Sequence, residues 1–298
     1  MFQEQTGIPV ATAPPDRRRT PRHEFRQQRR TSERIHLLGE PIDLVRREEL
    51  MQQLEQWVGA GHTRIIANHN LHSLYLIRRE PEMRAMYDRA DLIELDSTPL
   101  VHFARFLGLG TRGFHRCTYL DWREHFWSLA NRKRWRVMYV GGACGVAETA
   151  AGRLSARYPG VVIGTRDGYF DAAPGSAGNA ATVAAVQAFQ PDVLMVGMGM
   201  PRQEAWIARN RADLPPTVIL PVGAAFDYEA GAQRAAPRWM GRFGLEWLFR
   251  LVVDPRRLFV RYCVEPWFLI GPAFADVRAA RRRASLKGPS GDGGTVPV

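Results

Sequence analysis

The segment Val193-Leu-Met-Val-Gly-Met-Gly-Met-Pro-Arg-Gln-Glu-Ala-Trp206 restricts the fold more than any other part of the chain. An apolar run of strand length ends in glycines, and Pro201 then opens a segment with helical spacing. This is the pattern of a buried parallel strand that delivers the chain to a glycine turn and a helix. Gly197 and Gly199 permit close backbone approach, and Pro201 at a first helical position gives up an N–H that has no intrahelical partner. Free N–H groups at such a start attract anions. Gln203 and Glu204 fall in the first turn, where Gln203 can offer an amide to a phosphate or sugar and Glu204 can cap the helix or accept from a hydroxyl. Taken alone, the stretch leaves a capped helix start and an anion site both open.

The same strand–turn–helix unit recurs along the chain. Val218-Ile-Leu-Pro-Val-Gly-Ala-Ala-Phe-Asp227 is a second strand-like run ending in small residues and an acid. Ligands in open α/β sheets gather at the carboxyl ends of strands, so one end with Gln203 and Glu204 and another with Asp227 describe one crevice. Arg64–Asn68 reads as a strand, with a turn and helix over 69–77; Asn68 and Asn70 can hydrogen-bond a sugar there. His69 and His72 are acid–base candidates or, as the blander alternative, helix-start or surface residues. Ala90–Asp96 alternates as a strand whose end exposes Asp96, followed by Ser97-Thr98-Pro99 and an apolar helix to Leu107; Asp96 is there either a helix cap or a free carboxylate. Trp135–Glu148 is a strand, a glycine turn containing Gly142, and a helix. Its Gly-Gly-x-x-Gly spacing is not the Gly-x-Gly-x-x-Gly of dinucleotide sites, and a phosphate-facing turn suits a nucleotide-sugar nearly as well. Further helices are expected over 177–189 and, after a short strand or hairpin from Ile35, over the segment that spaces Leu44, Leu50, Leu54 and Val58. Near-continuous apolar strands alternating with helices imply an α/β fold, a doubly wound, Rossmann-like parallel sheet.

Charge sorts the candidate partners. Among 298 residues, 41 Lys and Arg against 30 Asp and Glu give a net +11, which points to nucleic acid, an anionic membrane surface or phosphorylated substrates. The core shows no nucleic-acid recognition motif, so no nucleic-acid partner is expected. Cys117, Cys144 and Cys263 have neither metal-ligand spacing nor a disulfide framework. No apolar run approaches a membrane span and no signal segment is visible, which predicts a cytoplasmic protein. Residues 1–34 read as a disordered basic tail, 35–237 as the α/β core, 238–284 as a helical appendage mixing aromatics with arginines, and 285–298 as a disordered end. Rings and arginines so mixed suit the anionic inner face of the plasma membrane, or ordinary packing onto the core. No Asp-x-Asp occurs in the core, so no metal and no other cofactor is expected.

The Gly-x-Pro-x-Gln-Glu, Val-Gly-x-x-Phe-Asp and Glu-Trp-x-x-Arg elements, with Gly231, Arg234, Pro237 and Trp239, resemble the WecG/TagA/CpsF family of bacterial glycosyltransferases, from about Ile35 to Tyr262. The resemblance implies inverting transfer from a UDP-sugar (N-acetylmannosamine-type, glucose or uronic acid) to a polyprenyl-diphosphate-linked saccharide in polysaccharide assembly. It places the catalytic base on Asp96, with Ser97 replacing the family's glycine, and sugar contacts on Asn68 and Asn70, with Asn68 replacing a threonine. Arg116, Thr118 and Asp121 match a further family segment in which Tyr119 stands at a usual glycine. Gly142, Gly199, Gln203, Glu204 and Asp227 fall on the nucleotide side, and Arg250 and Arg257 match arginines that meet the diphosphate. A third arginine position falls on Val260, beside Arg261. Donor sugar, acceptor glycan and oligomeric state are left open, a homo-oligomer being compatible with all of this.

Overall fold

The computed structural model describes residues 34–233, 236, 240 and 245–286, without the side chains of Arg257 and Leu286. Residues 1–33 and 287–298 of the two expected tails, and the stretch containing Arg234, Pro237, Trp239 and Arg242, lie outside the described residues; Arg34 and Ser285, expected in the tails, belong instead to a strand and a helix.

A hairpin of β1 (Arg34–Leu37) and β2 (Glu40–Asp43) opens the chain. Asp43 fixes it to the body, accepting from the Arg34 guanidinium at 2.7 and 2.9 Å and from Ile93 N at 2.8 Å. The helix α1 (Arg47–Trp57) follows and buries Leu50 and Leu54, as their spacing predicts.

Six strands, β3 (Arg64–His69), β4 (Leu92–Leu95), β5 (Arg136–Gly141), β6 (Val162–Arg166), β7 (Val193–Gly197) and β8 (Val218–Pro221), form one parallel sheet in the order β4-β3-β8-β7-β5-β6. The helices between them are α2 (Leu71–Leu76), α3 (Pro81–Tyr87), α4 (Thr98–Phe106), α5 (Tyr119–Lys133), α6 (Val146–Arg157), α7 (Ala177–Phe189) and α8 (Arg202–Asn210), and α9 (Ala225–Ala230) follows β8. Strand alternation explains the layering. Val137 and Tyr139 of β5 and Val193 and Met195 of β7 join one core with Phe126, Trp127 and Phe226. Met138, Val140, Leu194 and Val196 join the other with Met83, Val186 and Trp206. Both faces are therefore covered, and this is why these strands read as continuous apolar runs. Neighbouring strand ends meet without room for side chains: a Cβ on Gly141 would overlap the backbone of Gly197, and one on Gly197 would overlap the Tyr139 hydroxyl and the Gly223 carbonyl.

The structure places Pro201 at the N-cap of α8, after a cis Met200–Pro201 peptide, and the helix begins at Arg202. Sequence spacing puts that boundary one residue too early.

The C-terminal region is helical: Glu246–Val253, Pro255–Phe259, a π turn Val260–Val264, a 3-10 turn Glu265–Leu269 and a long helix Ile270–Leu286. Leu269 is buried in a third cluster with Leu37, Ile42, Leu74 and Leu100, and Ala273, Val277 and Ala280 pack against it. Asp276 accepts from Leu38 N at 2.6 Å. Among the described residues no helix is long and apolar enough to cross a membrane.

Candidate active site

The carboxyl ends of β3, β4, β7 and β8 open into a cleft of about 540 Å³, walled on the far side by the C-terminal helices. Asn68, Asn70, Asp96, Gly199, Gln203 and Arg250 all line it. A second cavity of about 450 Å³ shares Gly199 and Arg250 with the first and adds Gly142 and Asp227. Most of the residues singled out from sequence, separated by up to 182 positions between Asn68 and Arg250, thus meet at one end of the sheet.

Asp96 follows β4 directly, held by its backbone N–H on His69 O at 2.8 Å. The N-cap of α4 is Ser97, so Asp96 does not cap that helix. Among the described residues its carboxylate accepts no hydrogen bond. Burial pushes its pKa up to about 7, while Arg250 and Arg116 pull it down and Glu246 and Asp121 push it further up. A carboxyl balanced in this way is a proton acceptor at neutral pH.

The asparagines are partly committed. Asn68 donates to Pro221 O at 3.0 Å, tying β3 to β8, and Asn70 caps α2 by accepting from Ser73 N at 3.0 Å. Gln203 is a brace: its Oε1 accepts from Gly199 N and Gly223 N, both at 3.2 Å, and its Nε2 donates to Glu204 Oε1 at 2.8 Å. The glycine turns after β7 and β8 are thereby fastened to each other.

Two of the expected site residues lie outside the lining of both cavities. Glu204 is fully buried and lines neither cavity; burial raises its pKa to about 7, against the Gln203 hydrogen bond. Arg116 does not line the cleft either. Its guanidinium bridges Asp121 at 3.0 Å and Glu246 at 3.1 Å, joining the start of α5 to the helix Glu246–Val253. The Arg257 side chain lies outside the described residues. His69, read as an acid–base candidate or as a helix-start or surface residue, is the last residue of β3. It is buried, stacks on Tyr87 at 4.4 Å and is held neutral by burial, with its pKa lowered to about 3. His72 does line the cleft, 2.5 Å from Glu265.

Sequence reasoning assigned no role to Glu94, Glu246 or Arg261, all of which line the cleft. Glu94 was detectable, since strand alternation puts it on the face of Asp96. Val260, the aligned position, and Arg261 both line the cleft, and the Arg261 Nε is buried without a hydrogen-bond partner among the described residues.

The sequence model described as "Glycosyl transferase WecG/TagA/CpsF family" matches residues 35–283. The chain belongs to this family. It is a glycosyltransferase, and the matched span contains the sheet, both cavities and the C-terminal wall. Relatives named N-acetylglucosaminyldiphosphoundecaprenol N-acetyl-beta-D-mannosaminyltransferase are 24% identical in Staphylococcus aureus strain NCTC 8325 / PS 47 and 23% identical in strain MRSA252. Each alignment runs over 242 residues, 78% of this chain and 89% of the relative. Those relatives are named for action on a polyprenyl-diphosphate-linked sugar.

Proposed function

We propose that the chain moves a sugar from a UDP-sugar to a polyprenyl-diphosphate-linked saccharide, with inversion, at a membrane surface. The observation that carries this reading is the cleft itself, where a carboxyl poised near neutrality and an arginine without an ion-pair partner among the described residues face one space. Asp96 takes the proton from the acceptor hydroxyl as its oxygen attacks the anomeric carbon. The bond from that carbon to the diphosphate breaks, and UDP leaves with the electron pair. Arg250 and Arg261 lie where the negative charge on the leaving diphosphate grows, and fixed cations in a partly desolvated cleft stabilise it. Gly142, Gly199 and Asp227 hold the nucleotide in the adjoining cavity, and Asn70 offers its free amide hydrogens to the sugar.

A lipid-linked acceptor requires access to a bilayer. Most of the exposed large apolar side chains among the described residues lie between Trp247 and Phe274, with Val252 at 73%, Trp267 at 70% and Phe274 at 66% exposure. Such a surface, with arginines between the rings, suits peripheral attachment at headgroup depth on the inner leaflet.

The test is a donor screen. The purified chain is given UDP-N-acetylmannosamine, UDP-glucose or UDP-glucuronate with polyprenyl-diphosphate-linked N-acetylglucosamine, and lipid products are resolved by mass. One donor is expected to yield an acceptor longer by one sugar, with EDTA without effect because arginines carry the charge compensation. No extended product from any donor would contradict the reading.

A further inference from the structure

The floor of the cleft carries two buried polar groups that the transfer chemistry above does not use. Glu94 precedes Asp96 by two residues, so the period of a strand turns both side chains to one face of the sheet. It is 2% exposed, and its Oε1 has no hydrogen-bond partner among the described residues. Trp122, in the first turn of α5, is 3% exposed and its indole Nε1–H is likewise unpartnered. Both line the cleft. Native proteins leave few buried polar atoms unsatisfied, and two in one cavity floor mark a place where a ligand or water supplies the partners. The wall beside them is rigid. Tyr119 donates to Glu229 at 2.9 Å and accepts from Trp127 Nε1 at 3.0 Å, so its ring is fixed.

We propose that Glu94 and Trp122 form the pocket that selects the transferred sugar, by receiving its neutral hydroxyl groups. This rests on reading the cleft as the transfer site. An indole N–H donates to a hydroxyl oxygen, and a carboxyl group both accepts from and donates to a hydroxyl. Burial, and then the Asp96 and Asp121 carboxylates, hold the Glu94 pKa well above the usual range, so the group is a neutral acid. The discrimination of the pocket comes from buried groups left unpaired when a hydroxyl is missing.

The experiment compares the parent with Glu94→Gln, Glu94→Leu, Trp122→Phe and Asp96→Asn. Each is assayed on the three UDP-sugars above and on singly deoxygenated analogues of the neutral donor that turns over fastest. Glu94→Leu is expected to lower kcat/KM for the intact neutral donor roughly tenfold to a hundredfold, the size of a lost buried hydrogen bond. Glu94→Gln stays within a few-fold of the parent. For one deoxy analogue the parent is already slow, and Glu94→Leu causes no further loss. The melting temperature of Glu94→Leu is not lower than that of the parent, because the substitution removes an unsatisfied polar atom. A merely structural role would lower melting temperature and all activities together, and that result overturns the proposal. So does parental kcat/KM in Glu94→Leu while Asp96→Asn is inactive. Parental rates in both Asp96→Asn and Glu94→Leu, or no turnover with any donor, would remove the cleft as the transfer site and the selection pocket with it.

Discussion

At the scale of residues, Asp96 carries two separable predictions. A base must be ionised to accept a proton, so kcat/KM is expected to rise with pH and level off above about 7, where the raised pKa lies. The second concerns stability. The folded state keeps the Asp96 proton up to about pH 7, whereas the unfolded chain releases it near about 3.9, so folding loses stability as pH rises through that window. Glu204, also raised to about 7, contributes in the same direction. Asp96→Asn is therefore expected to melt at a higher temperature than the parent at pH 8, with the gap closing as pH falls toward 4; thermal unfolding across that range checks it, and a gap that widens on acidification would reverse the sign. The position of Asp96 at a strand end was legible from the alternation of residues 90–96, whereas the choice between a helix cap and a free carboxylate needed the structure, which puts Ser97 at the N-cap. The direction of the Glu204 side chain was not legible. A first-turn position says that a side chain is near a helix start and not which way it turns, and here the carboxyl is buried and accepts from the Gln203 amide.

At the scale of elements, the strand ends depend on glycine and on Gln203. Gly197→Ala forces a methyl against the Tyr139 hydroxyl and the Gly223 carbonyl, and overpacking of this kind costs about 1–3 kcal/mol. Gln203→Leu leaves Gly199 N and Gly223 N without their shared acceptor, an expected loss of about 1–3 kcal/mol accompanied by weaker UDP binding. Denaturant unfolding and calorimetric UDP titration measure both; parental UDP affinity in Gln203→Leu would show that the two turns hold their shape unaided. The repeating units were legible because the central strands are buried on both faces and most helix starts are marked by Gly, Pro or a capping residue. The partners of Arg116 were not. Glu246 lies 130 residues away, and only the folded chain brings its helix over α5.

At the scale of the molecule, the C-terminal helices are both a wall of the cleft and a lid over the third apolar cluster. Deleting them removes Arg250 and Arg261 and also uncovers Leu74 and Leu100, so truncation before Glu246 is expected to lower stability and abolish transfer together. Substituting Arg250 and Arg261 with Ala separates the two effects. Transfer should fall while melting temperature and retention on anionic liposomes stay near parental, since the exposed rings from Trp247 to Phe274 remain; a double variant that transfers normally would assign the diphosphate charge elsewhere. Aromatic and basic residues alternating over 239–283 indicated an appendage, but their mixture reads equally as packing and as a membrane face; the structure shows the packing, through Leu269, Ala273, Val277 and Ala280, beside exposed rings at Trp247, Trp267 and Phe274. The most direct measurement is single-turnover transfer to polyprenyl-diphosphate-linked N-acetylglucosamine by the full chain and by Asp96→Asn, with UDP affinity determined for each. The account predicts unchanged UDP affinity and a rate lower by about 10²–10⁴, the usual contribution of a general base; transfer by Asp96→Asn at the parental rate would contradict it.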